Sequence, residues 1–456
     1  MRRYLVYVAS LLAVFSLLLP FYLRYVESQP LVFAGESYYN LRIASLIQKS
    51  GIPHYDLMLW QPRPYLINPY HLVLAGFFLL FTHIQTSILF PVLLGALSFV
   101  IFGMLLKSFS VSSHVTLASL VMLAFSPPFV HTFTVSSPIA LSATIVLLGL
   151  YLLCSEQAFA KWLGILSLSI VPFFSFSFAV VSIVVLLSVE KYRKNAIAVL
   201  PVIVLTLVSL VLQLPTVHIP QIHLFFSDLG SQFGFGLFNV ILCFLGLILA
   251  WPKKSGLLSW FVVGLSIISV SFLDLGSLVL LNYLVSVAAA FAFVRLLKMR
   301  WDLLQIRFMS ITLIVCGLLF SFVTFETSLA SSAPTEGLEQ ALSWLSTQET
   351  SAVFSHPSLG FFIQADAGKK VLADDLTIDQ KILNDSNTLF YSRSLQKTKE
   401  ILSKYNISHI LISPEMKVGL VWNEPEQGLL FLLRNNETFK SVYNKSQVLV
   451  VSYSGG

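Results

Sequence analysis

Between residues 4 and 326 the chain repeats apolar runs close to the length a bilayer demands, about 20 residues each. Nothing else in the sequence constrains the fold as tightly. A backbone in hydrocarbon must satisfy its own polar groups, which leaves helices or closed barrels as spanning structures. The runs lie at about 4–26, 69–84, 86–106, 114–131, 135–154, 162–189, 196–214, 236–251, 256–273, 276–296 and 307–326. Taken once each they predict about 11 spans. The chain is 56% hydrophobic and 11% charged, whereas soluble domains carry roughly 25% charged residues. The expected fold class is an α-helical polytopic membrane protein, with residues 1–330 in the membrane and 331–456 as a soluble α/β domain.

Cations orient the spans. Arg2 and Arg3 precede the first run and place the N-terminus in the cytoplasm. The first run is too long for a signal-peptide core and opens a series, so it reads as a retained helix. The basic loops at Lys191, Arg193 and Lys194, at Lys253 and Lys254, and from Arg295 to Arg307 are then cytoplasmic, and the first loop (27–68) and the tail are external. The net charge of +6 belongs to these loops and does not point to nucleic acid. One alternative stays open. Pro172 divides 162–189, and if that run is two helices, 69–84 must be incomplete to keep the parity. In that variant the turn around His131 is external.

All three cysteines lie in apolar runs, so no disulfide framework is expected. The tail carries four N-x-S/T acceptors, at Asn384, Asn406, Asn436 and Asn444, in keeping with an external place. Within it, 351–354, 370–373, 408–412, 428–433 and 446–452 read as strands and 337–345 and 394–405 as helices.

The polar stretch 35–75 interrupts the apolar pattern with Glu36, Asp56, Arg42, Lys49, Arg63, His54, His71 and five tyrosines. Glycosyl transfer from a lipid-linked donor needs such parts at a membrane boundary. A carboxylate takes a proton from the acceptor, and cations or a metal hold the phosphate leaving group. Glu36 or Asp56 is the candidate base, with Arg63, Arg42, Lys49, His54 and His71 as candidates for the donor phosphate. The structural alternative is an ordinary interfacial loop, where acids are solvated and tyrosines are enriched. His218, His223 and Asp228 form a weaker second cluster in a later external loop, without a metal-site spacing.

The arrangement resembles the glycosyltransferase C superfamily. The likeness runs through Gly35-Glu-Ser-Tyr-Tyr-Asn-Leu-Arg-Ile-Ala after one short span, Gly51-Ile-Pro, and Arg63-Pro-Tyr-Leu-Ile-Asn-Pro-Tyr-His-Leu. It continues at Phe125-Ser-Pro-Pro-Phe-Val, at the run ending Leu148-Gly-Leu-Tyr-Leu-Leu, and at the broken run 162–189. The tail is distantly similar to that of oligosaccharyltransferase catalytic subunits, and the whole to protein mannosyltransferase-like enzymes. By position the resemblance makes Glu36 the base or metal-binding acid. It implies an inverting membrane glycosyltransferase with a polyprenyl-phosphate-sugar donor, a membrane lipid environment and a protein, lipid or glycan acceptor on the outer face. It also leaves room for a divalent metal, Mg or Mn.

Three departures narrow the expectation. His356-Pro-Ser-Leu-Gly360 stands where oligosaccharyltransferases carry Trp-Trp-Asp-Tyr-Gly. The second acid of many relatives has no counterpart around 131–138, where His131 is the possible substitute. No arginine stands at the outer end of 276–296 to hold a pyrophosphate, which favours a monophosphate donor. The competing class is a non-catalytic membrane scaffold or binding protein, or a transporter. Transport would call for ionisable residues in mid-span, and the spans carry almost none.

Overall fold

The structure is a computed structural model, and it describes residues 2–189, 192, 199–212, 225–231, 234–424 and 426–453. His218, His223 and the basic loop at Lys191, Arg193 and Lys194 lie outside the described residues. The chain divides into two compact units. The first comprises Met1–Leu23, Asn68–Tyr70 and Gln85–Ala330; the second comprises Arg24–Ile67, His71–Ile84 and Ser331–Gly456.

The first unit is helical. Its elements are α1 (Arg2–Val26, continuing into the second unit), then, after α2 (Gly35–Ser50) and α3 (Pro69–Phe77), α4 (His83–Ser108), α5 (Ser113–Ala124), α6 (Pro127–Thr134), α7 (Pro138–Leu153), α8 (Ala158–Ile170) and α9 (Phe176–Ser188). They continue with α10 (Val199–Leu212), α11 (Leu237–Ala250), α12 (Lys254–Ser271), α13 (Leu278–Lys298) and α14 (Leu304–Ala330). Four described helices are long and apolar enough to cross a membrane: Tyr7–Val26, α4, Leu275–Lys298 and α14. The pair α5 and α6 reaches that length together but bends by 59°, where Pro127 and Pro128 cannot continue the hydrogen-bond ladder. The other apolar helices are shorter. The run 162–189 is not one span but two helices, α8 and α9, separated at Pro172. Correspondingly, 69–84 is no full span: it holds only α3 (Pro69–Phe77) and the start of α4.

Small residues set the closest approaches. α13 presents Ala289, Ala290 and Ala292 to Leu242 of α11 and to Val115 and Met122 of α5. A Cβ at Gly246 of α11 would collide with the Ala288 carbonyl of α13. Backbone-to-backbone contact of this kind is how helices pack when lipid offers no hydrophobic drive.

The second unit is α/β. It contains α2 (Gly35–Ser50), α3 apart from its first two residues, the short hairpin β1 (Tyr55–Asp56) and β2 (Arg63–Pro64), and the tail elements α15 (Glu336–Ser346), α16 (Gln380–Tyr391) and α17 (Leu395–Lys404). Its four-stranded sheet has the order β3 (Val353–Phe354), β4 (His409–Ile412), β6 (Val448–Tyr453) and β5 (Phe439–Lys445), with β3–β4 parallel and the other pairs antiparallel. The structure departs from the expected elements here: residues 370–373 form no strand, and Val371 alone is bridged, to Leu59 and to Val353. Residues 428–433 form the helical turn Leu429–Leu432, because the run is continuously apolar rather than alternating, and Leu429 and Leu432 are buried at helical spacing. Strand β5 was not anticipated; it is largely exposed and carries lysines, as edge strands do.

The arginine that ends α1 ties this unit together. Arg24 is fully buried, donates to the carbonyls of Pro30, Ser332 and Pro334, and lies over the Phe33 ring.

The close helix packing has a measurable consequence. Gly246→Ala is expected to cost about 1–3 kcal/mol or more, because a backbone carbonyl cannot yield as a side chain can. Gly264→Ala, whose Cβ would meet only Leu281 at 3.8 Å, is the neutral control. Thermal unfolding of the detergent-solubilised protein reads both.

Candidate functional site

The polar stretch builds a charged network in the second unit. Helix α2 starts at Gly35 with Glu36 in its first turn, where the helix dipole favours an anion. It stops at Gly51, whose φ of 82° suits glycine. The buried side chains Ser37, Tyr38, Asn40, Leu41 and Ala44 recur at helical spacing and define its inner face. After the helix, β1 and β2 pair with Asp56 directly opposite Arg63. The chain between them joins the tail: the Trp60 N–H donates to the Val371 carbonyl at 2.9 Å and the Val371 N–H to Met58 at 3.0 Å. The Val353 N–H in turn donates to Lys370 at 2.8 Å, which links this ladder to β3.

That pairing delivers Asp374 to the loop. Arg42 of α2 holds Asp56 in a fork, Nη1 to Oδ1 at 2.9 Å and Nη2 to Oδ2 at 2.7 Å, and also reaches Gln364 at 3.0 Å. Arg63 bridges Asp56 at 3.2 Å and Asp374 at 3.0 and 3.2 Å. Gln364 Nε2 donates to Asp374 at 3.1 Å, as do the Leu376 N–H and the Thr377 hydroxyl at the same distance. Both carboxylates are almost wholly buried, with side-chain exposures of 1% and 0%; Arg42 and Arg63 retain 12% and 21%. The Tyr39 ring lies beneath both guanidinium groups, 5.7 Å from Arg42 and 5.5 Å from Arg63.

Electrostatics follow from this geometry. Burial acts to raise the Asp56 carboxyl, but the hydrogen bonds and charge of Arg42, the Met58 N–H and the Arg63 charge outweigh it and hold Asp56 below the usual carboxylate range. Burial likewise opposes the charge on Arg63, and Asp374 overrides it. His71 goes the other way. Burial, and secondarily the Arg42 charge, push it down to about 4. Its Nε2 lies 2.8 Å from Asn40 Oδ1 and its Nδ1 2.8 Å from the Tyr65 hydroxyl, so the neutral ring donates to Asn40 and accepts from Tyr65.

The structure thus brings Asp56, Arg42 and Arg63 together, with His71 in the same unit. Glu36 is half-buried at the start of α2, and Lys49 and His54 are exposed. His131 is buried in α6 of the first unit. Asp228 accepts from the Leu237 N–H at 2.6 Å and so caps α11. His356 likewise caps a turn, its Nδ1 accepting from the Ser358 N–H at 3.3 Å. Among the described residues no three histidine, cysteine or acidic side chains converge as metal ligands. Asp56 and Asp374 already neutralise guanidinium groups, so this donor set does not fit a divalent cation. Asp374 and Gln364 lie more than 300 residues from their partners Arg63 and Arg42. Only the paired acids Asp374 and Asp375 after an apolar run marked the place.

No protein-family model matches the chain, and no curated protein matches it by sequence. Solved structures do match. An Archaeoglobus fulgidus oligosaccharyltransferase, AglB, in complex with an inhibitory peptide and a dolichol-phosphate, aligns at TM-score 0.64 and 11% identity over 100% of this chain and 74% of its own. ArnT from Cupriavidus metallidurans, bound to undecaprenyl phosphate, aligns at TM-score 0.54 and 12% identity over 98% and 97%. The arabinofuranosyltransferase AftD from Mycobacteria aligns at TM-score 0.56 and 16% identity over 99% of this chain and 41% of its own. All three are glycosyltransferase C superfamily enzymes. At these identities the likeness is one of fold, and the fold implied by the sequence resemblance is the one the chain has.

Two outcomes test the network. Asp374→Asn leaves Arg63 half-paired in a buried setting and is expected to cost about 3 kcal/mol. In a double-mutant cycle, Arg63→Ala and Asp374→Ala are expected to be strongly non-additive by thermal unfolding. His71 makes this network sensitive to acid. Its folded value of about 4 lies below the unfolded 6.5, so the unfolded chain binds the proton sooner and stability falls as pH drops between those values, by on the order of 3 kcal/mol. His71→Gln, which keeps the hydrogen bonds without titrating, is expected to flatten that slope. Asp56 adds a further loss only below about pH 3.8, as pH falls through its depressed value.

Proposed function

We propose that the protein is a membrane glycosyltransferase that moves a sugar from a polyprenyl-phosphate carrier to an acceptor on the outer face, with inversion. The observation that carries this is the near full-length fold match to ArnT bound to undecaprenyl phosphate, supported by that to AglB with dolichol-phosphate. The membrane unit is read as about 11 spans, with the break at Pro172 offset by the incomplete segment 69–84. The N-terminus is then cytoplasmic and the first loop and the tail external.

Glu36 is the proposed base. An acceptor oxygen attacks the anomeric carbon, the bond from that carbon to the phosphate oxygen breaks, Glu36 takes the acceptor proton, and polyprenyl phosphate leaves. Asp56 is the weaker candidate, because two guanidinium groups engage its carboxylate and lower its basicity. His71 is neutral at physiological pH and brings no positive charge to a phosphate. Arg63, the more exposed of the two arginines, is the better placed to contact one, with exposed His54 beside it in the first loop.

A non-catalytic binding protein is the second reading. The internal charge balance of Arg42, Asp56, Arg63 and Asp374 favours it. It predicts capture of the lipid-linked sugar without turnover.

The deciding experiment is transfer in proteoliposomes with a panel of polyprenyl-phosphate sugars. Wild type is expected to form product, and Glu36→Gln to lose on the order of 10²–10⁴-fold with unchanged unfolding temperature and membrane insertion. Full activity in Glu36→Gln would sink the base assignment. Binding without product in wild type would favour the second reading.

A further inference from the structure

The connection between α13 and α14 gathers Arg295, Lys298, Arg300 and Arg307 around a single acid, Asp302. Leu275–Lys298 and Leu304–Ala330 are both long and apolar enough to cross a membrane. Only residues 299–303 join them, so the turn has no route away from the headgroup layer, whichever leaflet it meets. Among the four described helices of that length α14 is the least enclosed, with 22% of its apolar stretch buried against 39% to 61% in the others. Lipid therefore reaches this edge of the bundle.

Cations at such a place ordinarily cap the last carbonyls of a helix, or orient the chain by their sign. Here other groups do the capping. Trp301 Nε1 donates to the Leu296 carbonyl and Arg307 Nη2 to the Leu297 carbonyl, each at 3.0 Å, and the Met299 N–H donates to the Arg295 carbonyl at 3.0 Å. These bonds fold the turn back onto the end of α13, with Trp301 beside Leu296 and the first turn of α14 beside Leu297. Arg295 and Lys298 are neighbours on α13, about 5–6 Å apart at Cβ. Arg295, Lys298 and Arg300 are all exposed, and none of the ion pairs found among the described residues involves them. Orientation by charge needs only their sign, not a turn folded to hold them together.

The surroundings select the ligand. Met299, Leu303 and Leu304 are exposed beside the cations, and Phe308, one turn further along α14, is 71% exposed. Such a surface matches a molecule that is anionic at one end and apolar at the other. Phosphate oxygens accept from guanidinium and ammonium donors. Three exposed cations against Asp302 favour a net-negative headgroup over a zwitterionic one, whose own ammonium they would repel. We propose that this turn binds an anionic glycerophospholipid, its headgroup held by Arg295, Lys298 and Arg300 and its acyl chains lying along the first turns of α14. Such a lipid would be held whether or not the chain transfers sugar.

The test is native mass spectrometry of the full-length protein in detergent, titrated separately with phosphatidylglycerol and phosphatidylcholine. Wild type is expected to retain phosphatidylglycerol roughly ten-fold or more above phosphatidylcholine, and neutralising each cation is expected to lower that retention about five-fold. The variants are Arg295→Gln, Lys298→Gln and Arg300→Gln, singly and together. Their side chains are exposed, so the unfolding temperature without lipid should not change, while its rise on adding phosphatidylglycerol should vanish in the triple variant. Lys397→Gln, an exposed position on α17 of the second unit, is the control and should keep the full preference. If the triple variant does not fold, the three single variants carry the test.

Equal retention of the two phospholipids by wild type would overturn the site, as would a triple variant that keeps the wild-type preference. Inorganic phosphate and polyprenyl phosphate serve as competitors. Displacement of phosphatidylglycerol by inorganic phosphate would reduce the turn to a free-anion site, and displacement by equimolar polyprenyl phosphate would assign it to the donor lipid. Either result defeats the phospholipid assignment.

Discussion

The fork between Arg42 and Asp56 organises the second unit. Asp56 sits on a two-residue strand too short to hold itself, and its place is set by a helix on one side and a hairpin partner on the other. Arg63 extends the charge ladder to Asp374, and the backbone pairing of 58–60 with Val371 aligns the two. A loop of the first hundred residues thereby becomes part of the tail's hydrophobic core, with Tyr38 and Leu59 packed among residues 338–451. Remove one charge and the others remain buried without compensation, which is why such pairs destabilise on truncation far more than they stabilise on formation.

The same interaction decides the chemistry. A cation whose donors are filled by carboxylates contributes little positive potential to a phosphate, and an acid forked by arginine is a poor proton acceptor. The network is therefore a frame for the loop, with Arg63 its more exposed cation. What the frame fixes is the start of α2. Phe361 lies against Gly35, where a Cβ would approach to 3.2 Å, and Tyr38 packs edge-on to Phe362 at 4.9 Å. Glu36 is held between these two contacts on the first turn of α2.

Much of this was legible in the sequence, for identifiable reasons. Apolar runs report helices because the membrane leaves few alternatives, and Pro172 marked its own break. Alternation found β4 and β6, which have a buried face, and missed β5, which has almost none. It also mistook 428–433, where a continuous apolar run fits a buried helical turn as well as a strand. The polar stretch announced itself by composition, but its wiring did not. Arg42, Arg63 and Asp56 look alike as free reactive groups until Asp374 and Gln364 arrive from the far end of the chain, and no spacing rule connects positions so distant. Asp228 stands in the sequence only as part of a weak second cluster, and its role as a helix cap depends on a loop closure that only coordinates reveal.

The two kinds of buried acid in this molecule then separate by their partners. Asp56 and Asp374 are surrounded by donors, and their burial is explained completely by the structure they hold. Glu326 has no such explanation. It stands on a span otherwise free of charge over 308–330, beside phenylalanines 322 and 325, where leucine would pack as well and cost nothing to desolvate. A fold shaped only by stability would not keep an acid there. An acid in apolar surroundings costs desolvation that none of its described neighbours offsets.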